Sequence, residues 1–255
     1  MNMRLAPPLV LAFVIGALAL SAAGATSRPL VELYTSEGCD SCPPADRWLA
    51  ANFPPLPADA QPVALAFHVD YWDRLGWADR FATPAYTERQ YDGMRANRAT
   101  FVYTPQVMVQ GHDFGGWREA DATRIVAGAR ARPRASLSMD VVAGGSTIAV
   151  NVDAQLADAA AGDDARLFVA YTDSGLHSDV KAGENRGRRL AHDHVVRTLK
   201  RAPAPAAAGR LHGQFEFTKP AESGTAPVLV AFVQRTSNGD VLQSLPLSLD
   251  ACLGR

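Results

Sequence analysis

Short apolar runs alternate with amphipathic stretches between residues 28 and 132. Three apolar runs have the length and content of buried strands, at residues 28–35, 62–69 and 106–111. Three stretches are typical of helices, at residues 43–53, 83–99 and 118–132. The first two have proline at their start, where the missing N–H costs nothing, and Thr83 is a candidate N-cap. Strands that alternate with helices predict a layered α/β sheet.

The pattern changes after Pro133, where short alternating segments follow one another with no convincing helix. Seven such segments lie between Ala135 and the C-terminus. Turn residues separate them, and Asn238-Gly239 is a type I′ hairpin signal. The sequence therefore predicts an α/β domain at 26–134 and a β-sandwich-like domain at 135–255.

Residues 1–25 have the features of an export signal. Arg4 is followed by an apolar run from Leu9 to Leu20 and by the small-x-small cleavage sequence Ala23-Gly24-Ala25. An uncleaved anchor is the alternative, but an apolar run of about 17 residues is short for a span of roughly 20. We expect cleavage before Thr26, and a periplasmic or secreted protein that does not stay in the membrane.

Charge and cysteine count narrow the classes of function. The chain has 25 basic and 26 acidic residues, and removal of the leader takes away one basic residue, which leaves a net charge of about −2. This slightly negative net charge does not favour binding to nucleic acid. Three cysteines in 255 residues are too few for a disulfide framework. With no phosphate loop, G-x-S-x-G or H-E-x-x-H sequence, hydrolase and nucleotide-dependent functions lack support. No cofactor is expected.

Cys39 and Cys42 form a Cys-Asp-Ser-Cys sequence between the predicted strand 28–35 and the predicted helix 43–53. A strand, a Cys-x-x-Cys turn and a helix are the layout of the thioredoxin fold. Disulfides persist in an oxidising compartment, and amide groups at a helix start favour the thiolate that performs disulfide exchange. We expect an exposed Cys39 to attack and Cys42 to resolve the mixed disulfide.

Thr104-Pro105 directly precedes the predicted strand 106–111. In thioredoxin-like proteins a cis-proline opens the strand that faces the cysteine turn, and X-Pro is the common cis bond. We therefore predict a cis Thr104-Pro105 bond that faces the cysteines. The backbone of Thr104 would then pair with an extended substrate.

Three other side chains near the predicted strand ends are candidates for substrate binding or proton transfer. Glu32 precedes the motif on the first strand, and a buried acid beneath the cysteines would shuttle protons. A solvated or capped carboxylate is the equal alternative. Tyr71 and Trp72 follow the strand 62–69, at the edge where ligands collect in α/β sheets. They would hold a partner's peptide or pack within a long loop.

Several polar side chains allow a metal site without completing one. His68, near the cysteines, would be a third ligand, and two thiolates alone would satisfy copper(I). His192 and His194 share a face if their segment is extended, but no set of four ligands is complete, so no metal is expected. The basic loop 183–189 is either a solvated turn, an anion site or a segment that docks on the first domain.

Five segments together resemble one family of exported bacterial thioredoxin-like proteins, catalogued as domain of unknown function 1223. They are VELYTSEGCDSCPPAD, HVDYWDRLGWADRF, YTERQY, YTPQVMVQG and AGENRGRRLAHDHVVR. The resemblance implies a thioredoxin-like domain with a β-rich extension, and it carries over Cys39, Cys42 and Pro105 from the broader thioredoxin pattern. It implies no settled activity. The chain departs from that pattern, because Trp does not precede Cys39 and Gly-Pro does not separate the cysteines.

The sequence thus predicts an exported thiol-disulfide oxidoreductase or isomerase that acts on protein thiols and disulfides. One alternative is a non-catalytic thioredoxin-like scaffold that binds a partner and has a structural disulfide. A copper- or metal-binding chaperone is a further alternative. Neither the oligomeric state nor a role for Cys252 follows from the sequence.

Overall fold

The predicted apolar runs become strands, and the first two amphipathic stretches become helices. The computed structural model describes residues 18–24, 28–58, 61–121, 123–125, 133–159, 164–203 and 207–250. Its strands are β1 (Leu18–Gly24), β2 (Leu30–Thr35), β3 (Val63–His68), β4 (Gln106–Val109), β5 (His112–Asp113), β6 (Ala135–Gly144), β7 (Thr147–Leu156), β8 (Ala165–Asp173), β9 (Leu176–Asp179), β10 (Arg189–His192), β11 (Val195–Arg201), β12 (Arg210–Thr218), β13 (Val228–Arg235) and β14 (Val241–Ser248). The helices are α1 (Pro43–Asn52) and α2 (Pro84–Ala96), and single 3₁₀ turns lie at Asp73–Leu75, Trp117–Glu119 and Ala207–Gly209.

One eight-stranded mixed sheet contains strands from both halves of the chain. Its order is β14-β13-β8-β11-β3-β2-β4-β5. β2 lies parallel to β3 and antiparallel to β4. β11 joins the halves, because it pairs in parallel with β3 at Val195 and Ala66 and antiparallel with β8. The predicted boundary near residue 134 therefore does not separate two sheets.

A four-stranded antiparallel sheet, in the order β1-β6-β7-β12, forms a second layer. β6, β7 and β12 alternate buried and exposed residues, as expected for strands with one face in the core. Their buried residues pack against Leu167, Val169 and Tyr171 of β8. The two layers are sandwich-like, as predicted for residues 135–255, but one of the two sheets is the large sheet that continues into β2 and β3.

α1 and α2 cover opposite faces of the large sheet. Val31 and Leu33 of β2 pack with Ala45 and Leu49 of α1. Alternate residues of β2 and β3, among them Tyr34, face α2 and the aromatic core beneath it. The start of α1 therefore lies at the end of β2, on one defined face of the sheet.

Some predictions reach beyond the described residues. The cleavage site before Thr26 and Cys252 lie outside them, whereas part of the predicted leader forms β1, paired antiparallel with β6. The predicted helix 118–132 is described only as far as residue 125, with residues 123–125 helical. Neither α1 nor α2, nor any shorter helical turn in the described ranges, is long and apolar enough to cross a membrane.

Phe232 tests whether the shared sheet unfolds as one unit. It is fully buried in β13, where its ring stacks on Phe168 with centroids 5.0 Å apart. Phe232→Ala should lower the free energy of unfolding by about 3–5 kcal/mol. All four tryptophans precede residue 134, so tryptophan fluorescence reports on the first half of the chain. The midpoint temperatures of the transitions followed by fluorescence and by far-UV circular dichroism should decrease by the same amount.

The control is Val142→Ala, because Val142 is 42% exposed on β6. It should change the free energy of unfolding by no more than about 0.5 kcal/mol. A Phe232→Ala protein whose tryptophan transition stays at the wild-type temperature would show that the two halves unfold independently.

Candidate functional site

The cysteine turn occupies residues 36–42, between β2 and α1. The Cys39 N–H donates to the Ser36 carbonyl at 3.2 Å, and the Cys42 N–H donates to the Cys39 carbonyl at 3.3 Å. Cys42 is the N-cap of α1, and Pro43 and Pro44 follow in the first helical turn. The predicted start of this helix at residue 43 is confirmed.

Cys39 and Cys42 form a disulfide, with Cα atoms 5.4 Å apart. That separation is within the usual range for a bridged pair. Both residues are 0% exposed. The prediction that Cys39 is exposed is therefore wrong for this conformation, because residues far along the chain cover the turn.

The cover is the loop between β9 and β10, residues 180–188, called here the covering loop. The Asn185 side-chain amide donates to the carbonyls of Glu37 and Cys39, each at 2.8 Å. The Glu184 carboxylate accepts from the Asp40 N–H at 3.1 Å. The sequence allowed three interpretations of this basic loop: a solvated turn, an anion site or a segment that docks on the first domain. The structure shows that the loop docks on the cysteine turn.

Trp72 links the cysteine turn to the Thr104-Pro105 segment. Its indole N–H donates to Thr104 Oγ1 at 2.8 Å. Its Cβ lies 3.0 Å from the position that a Cβ on Gly38 would occupy, so a side chain at residue 38 would displace it. The Thr104-Pro105 peptide bond is cis, as predicted, and Pro105 is buried. The structure thus brings Trp72 and Thr104 together.

Tyr71 supports the same region. Its ring centroid is 6.4 Å from that of Trp72, and its hydroxyl donates to Gln90 Oε1 at 3.2 Å. Burial raises the pKa of Tyr71 to about 12, although hydrogen bonds with Thr104 and Gln90 oppose the shift. Gln90 in turn donates to the Tyr103 carbonyl at 2.9 Å. Tyr71 therefore holds, through Gln90, the chain that leads to Thr104.

Glu32 is not brought to the cysteines. Strand alternation places it with Tyr34 on the α2 face of β2, whereas the cysteine turn leads into α1. Arg89 of α2 donates to Glu32 Oε1, with Nε at 3.0 Å, and the Arg89 guanidinium lies over the Phe67 ring. The Glu32 carboxylate is thus held in a buried ion pair on the other side of the sheet.

A buried cluster of acids and histidines, which the sequence analysis missed, lies beside the cysteine turn. His68 Nδ1 is 2.6 Å from Asp79 Oδ2, and both side chains are almost fully buried. The N–H groups of Glu37 and Phe81 donate to the Asp79 carboxylate at 2.8 and 2.9 Å. Asp79 therefore binds both the end of β3 and the turn that contains Cys39.

His192 of β10 extends this cluster from the second half of the chain. Its Nε2 is 3.1 Å from Glu37 Oε1, and its ring centroid is 5.1 Å from that of His68. The Trp77 indole N–H donates to the second Glu37 oxygen at 2.7 Å. The Glu37 carboxylate, two residues before Cys39, thus has partners from two separate segments.

Burial and pairing shift the pKa values of these groups in different directions. Burial disfavours protonation of His68, but the charge and hydrogen bond of Asp79 outweigh it, so the pKa of His68 is raised. Burial would raise the pKa of Asp79, but His68 lowers it below its usual value. Burial raises the pKa of Asp46, although His192 and His68 oppose the shift.

Asp46 is the acid of the cluster that lies on the helix carrying Cys42. It follows Cys42 by one helical turn, so the two side chains share a face of α1. Its N–H donates to the Cys42 carbonyl at 3.2 Å, and its carboxyl accepts from Thr35 Oγ1 at 3.2 Å. A carboxyl with a raised pKa in this position can exchange a proton with a neighbouring thiol.

The predicted histidine pair does not converge on a common point. His192 contacts Glu37, whereas His194 Nε2 is 2.9 Å from the Phe53 carbonyl. Among the described side chains, no group of three or more His, Cys, Asp or Glu is arranged to hold a metal ion.

The fold and this site can be compared with known proteins. The family described as "Protein of unknown function (DUF1223)" matches residues 30–234, which include the cysteine turn, the covering loop and strands from both halves. The chain belongs to this family. A search of curated proteins found no match.

Two solved structures are similar to this DUF1223 protein. Protein AGR_C_4864 from Agrobacterium tumefaciens is 25% identical, with a TM-score of 0.59 over 87% of this chain and 94% of that one. HBP35 of Porphyromonas gingivalis is 15% identical, with a TM-score of 0.59 over 88% of this chain and 76% of that one. The second likeness concerns the fold alone, and both likenesses cover more than either half of the chain.

The pairing of His68 with Asp79 can be tested by titration. Asp79→Asn removes the charge that favours the protonated ring, while burial still opposes protonation, so the pKa of His68 should fall. Histidine ring resonances followed by NMR against pH would measure the change. The control is Asp153→Asn, which removes an exposed carboxylate on β7 and should leave the titration of His68 unchanged. An unchanged His68 titration in Asp79→Asn would contradict the pairing.

Proposed function

We propose that this protein is an exported thioredoxin-like thiol-disulfide oxidoreductase or isomerase, which acts on protein substrates in the periplasm or outside the cell. The observation that carries the proposal is the position of the disulfide. Cys39 and Cys42 bridge between the end of β2, an interior strand that runs parallel to β3, and the start of α1, and Trp72 connects their turn to Thr104. Strand, disulfide turn and helix together are more specific for redox chemistry than the Cys-x-x-Cys spacing alone.

The exchange proceeds through a mixed disulfide. In the reduced protein the Cys39 thiolate attacks one sulfur of a substrate disulfide, whose S–S bond breaks to release a substrate thiolate. The Cys42 thiolate then attacks Cys39, which forms the Cys39–Cys42 disulfide and releases the second substrate sulfur. Two electrons pass to the substrate, and its two thiolates take up protons. The reverse sequence oxidises a substrate dithiol.

We assign the roles of the two cysteines and of their proton acceptor from their positions in the turn and in α1. Cys42 is fixed at the helix N-cap, whereas Cys39 precedes the helix in the turn, so Cys39 is the sulfur that a partner reaches when the turn is uncovered. The Cys42 thiol must lose a proton before it attacks. We assign the carboxylate of Asp46, on the same face of α1, to accept that proton. Glu32 has no part in the reaction, since Arg89 engages it on the opposite face. Thr104, Trp72 and Tyr71 line the approach for the substrate chain.

A partner-binding protein with a static disulfide is the second candidate, favoured by the complete burial of both cysteines. The reduction potential separates the two. A working dithiol should equilibrate with glutathione buffers at a potential above about −300 mV, whereas a structural bridge lies below it. Quantifying the reduced fraction by alkylation and mass spectrometry gives the value. A potential below about −300 mV would favour the static disulfide.

Trapping tests the assignment of the cysteines, in a Cys252→Ser background that excludes the third thiol. Cys42→Ser should accumulate covalent adducts with protein substrates, because Cys39 attacks and no second thiol resolves the adduct. Non-reducing electrophoresis and mass spectrometry would detect the adducts and the linked residue. Cys39→Ser is the matched control and should form few. Adducts that form mainly in Cys39→Ser would reverse the two roles.

A further inference from the structure

The covering loop closes the disulfide by polar contacts with the backbone of the cysteine turn. Asn185 is the one fully buried residue among residues 181–188, all of which the structure describes. Its side chain donates to the carbonyls of Glu37 and Cys39, which lie on the two sides of Gly38. Val180, at the start of the covering loop, is buried and apolar. The tip at residues 181–188 is held on the cysteine turn by hydrogen bonds, and another group that offers N–H donors can replace them.

The loop is carried by a hairpin that is separate from both large sheets. β9 and β10 form a two-stranded sheet of their own, and no other strand in the described ranges pairs with them. Gly183 and Gly187 have φ of 71° and 82°, left-handed values that favour glycine in the tip. The tip is thus a compact turn, which can leave the cysteine turn without breaking the pairing of either large sheet.

We infer that Asn185 determines access to the disulfide, in that a substrate chain must displace its amide from the Glu37 and Cys39 carbonyls before a thiolate reaches Cys39. This inference rests on the proposed function. The partner that fits is a polypeptide segment in extended conformation, since its backbone N–H groups offer the donors that Asn185 supplies in the closed form. Small thiols make no such contacts, so they reduce the closed disulfide only during spontaneous opening of the loop.

The first experiment measures reduction by dithiothreitol, whose two thiols become a cyclic disulfide as Cys39–Cys42 becomes two thiols. Asn185→Asp keeps the size of the side chain and an oxygen that can accept from Arg188, but it loses both donated hydrogen bonds. We expect reduction about tenfold faster or more, as for the loss of two buried hydrogen bonds. Arg186→Ala, at an exposed position in the same loop, is the matched control and should react at the wild-type rate.

Hydrogen exchange gives a readout that does not depend on redox activity. The Asp40 N–H is bonded to Glu184, so it should exchange faster in the oxidised Asn185→Asp protein than in wild type. Equal reduction rates for wild type and Asn185→Asp, or equal acceleration in Arg186→Ala, would overturn the role of Asn185. If Asn185→Asp does not fold, Glu184→Ala at an exposed position removes the acceptor of the Asp40 N–H and should give a smaller acceleration of both rates. No acceleration there would also overturn the inference.

Reduction by dithiothreitol and exchange with protein disulfides together separate the role of Asn185 as a gate to the disulfide from the proposed enzymatic activity. Faster reduction of Asn185→Asp, with no exchange between either protein and protein disulfides, would support a gated disulfide while refuting the proposed oxidoreductase. Exchange with protein disulfides at equal rates in wild type and variant would support the oxidoreductase and refute the gate.

Discussion

The contact between β11 and β3 is the constraint on which the rest of the molecule depends. Through it the α/β half continues its sheet into strands of the second half, and the outer edge of β3 gains a partner instead of remaining open. Val195 at the start of β11 pairs both with Ala66 of β3 and with Asp173 at the end of β8. The chain between β8 and β11 must therefore emerge beside the end of β3. That chain is the β9–β10 hairpin, so the sheet junction delivers the covering loop and His192 to the cysteines.

The site is built from three separate segments that meet at the carboxyl ends of β2 and β3. The turn supplies the disulfide, the end of β3 and the stretch after it supply His68, Trp72 and Asp79, and the hairpin supplies Asn185 and His192. Buried charges are costly when unpaired, and here each carboxylate has an imidazole or a hydrogen-bond donor as partner. A cluster of this kind fixes the relative positions of its segments, because the displacement of one segment leaves the charges of the others without partners.

Local patterns predicted the elements, and long-range contacts decided the site. The apolar runs and the prolines at residues 43 and 84 specify β2, β3, α1 and α2 through their own chemistry. The burial of Cys39 was not predictable, because GENRGRR has the composition of a solvated turn and its partner is another backbone. The position of Glu32 away from the cysteines was not predictable for a similar reason. Strand alternation tells which residues share a face of the sheet, but it does not tell which helix covers that face. The buried cluster has no spacing signal in the sequence, because His192 is far along the chain from His68 and Asp79. Alternating strands do not reveal which strand each will pair with.

The order of the segments along the chain determines when the covering loop can reach the cysteine turn during synthesis. Cys39 and Asn185 are 146 residues apart. Synthesis begins at the N-terminus, so the cysteine turn emerges well before the segment that will enclose it. Until the hairpin arrives, its loop does not cover the two thiols, and they can react with thiols or disulfides around them. The redox state that the bridge has when the last strands take their places is then the state that the finished protein encloses.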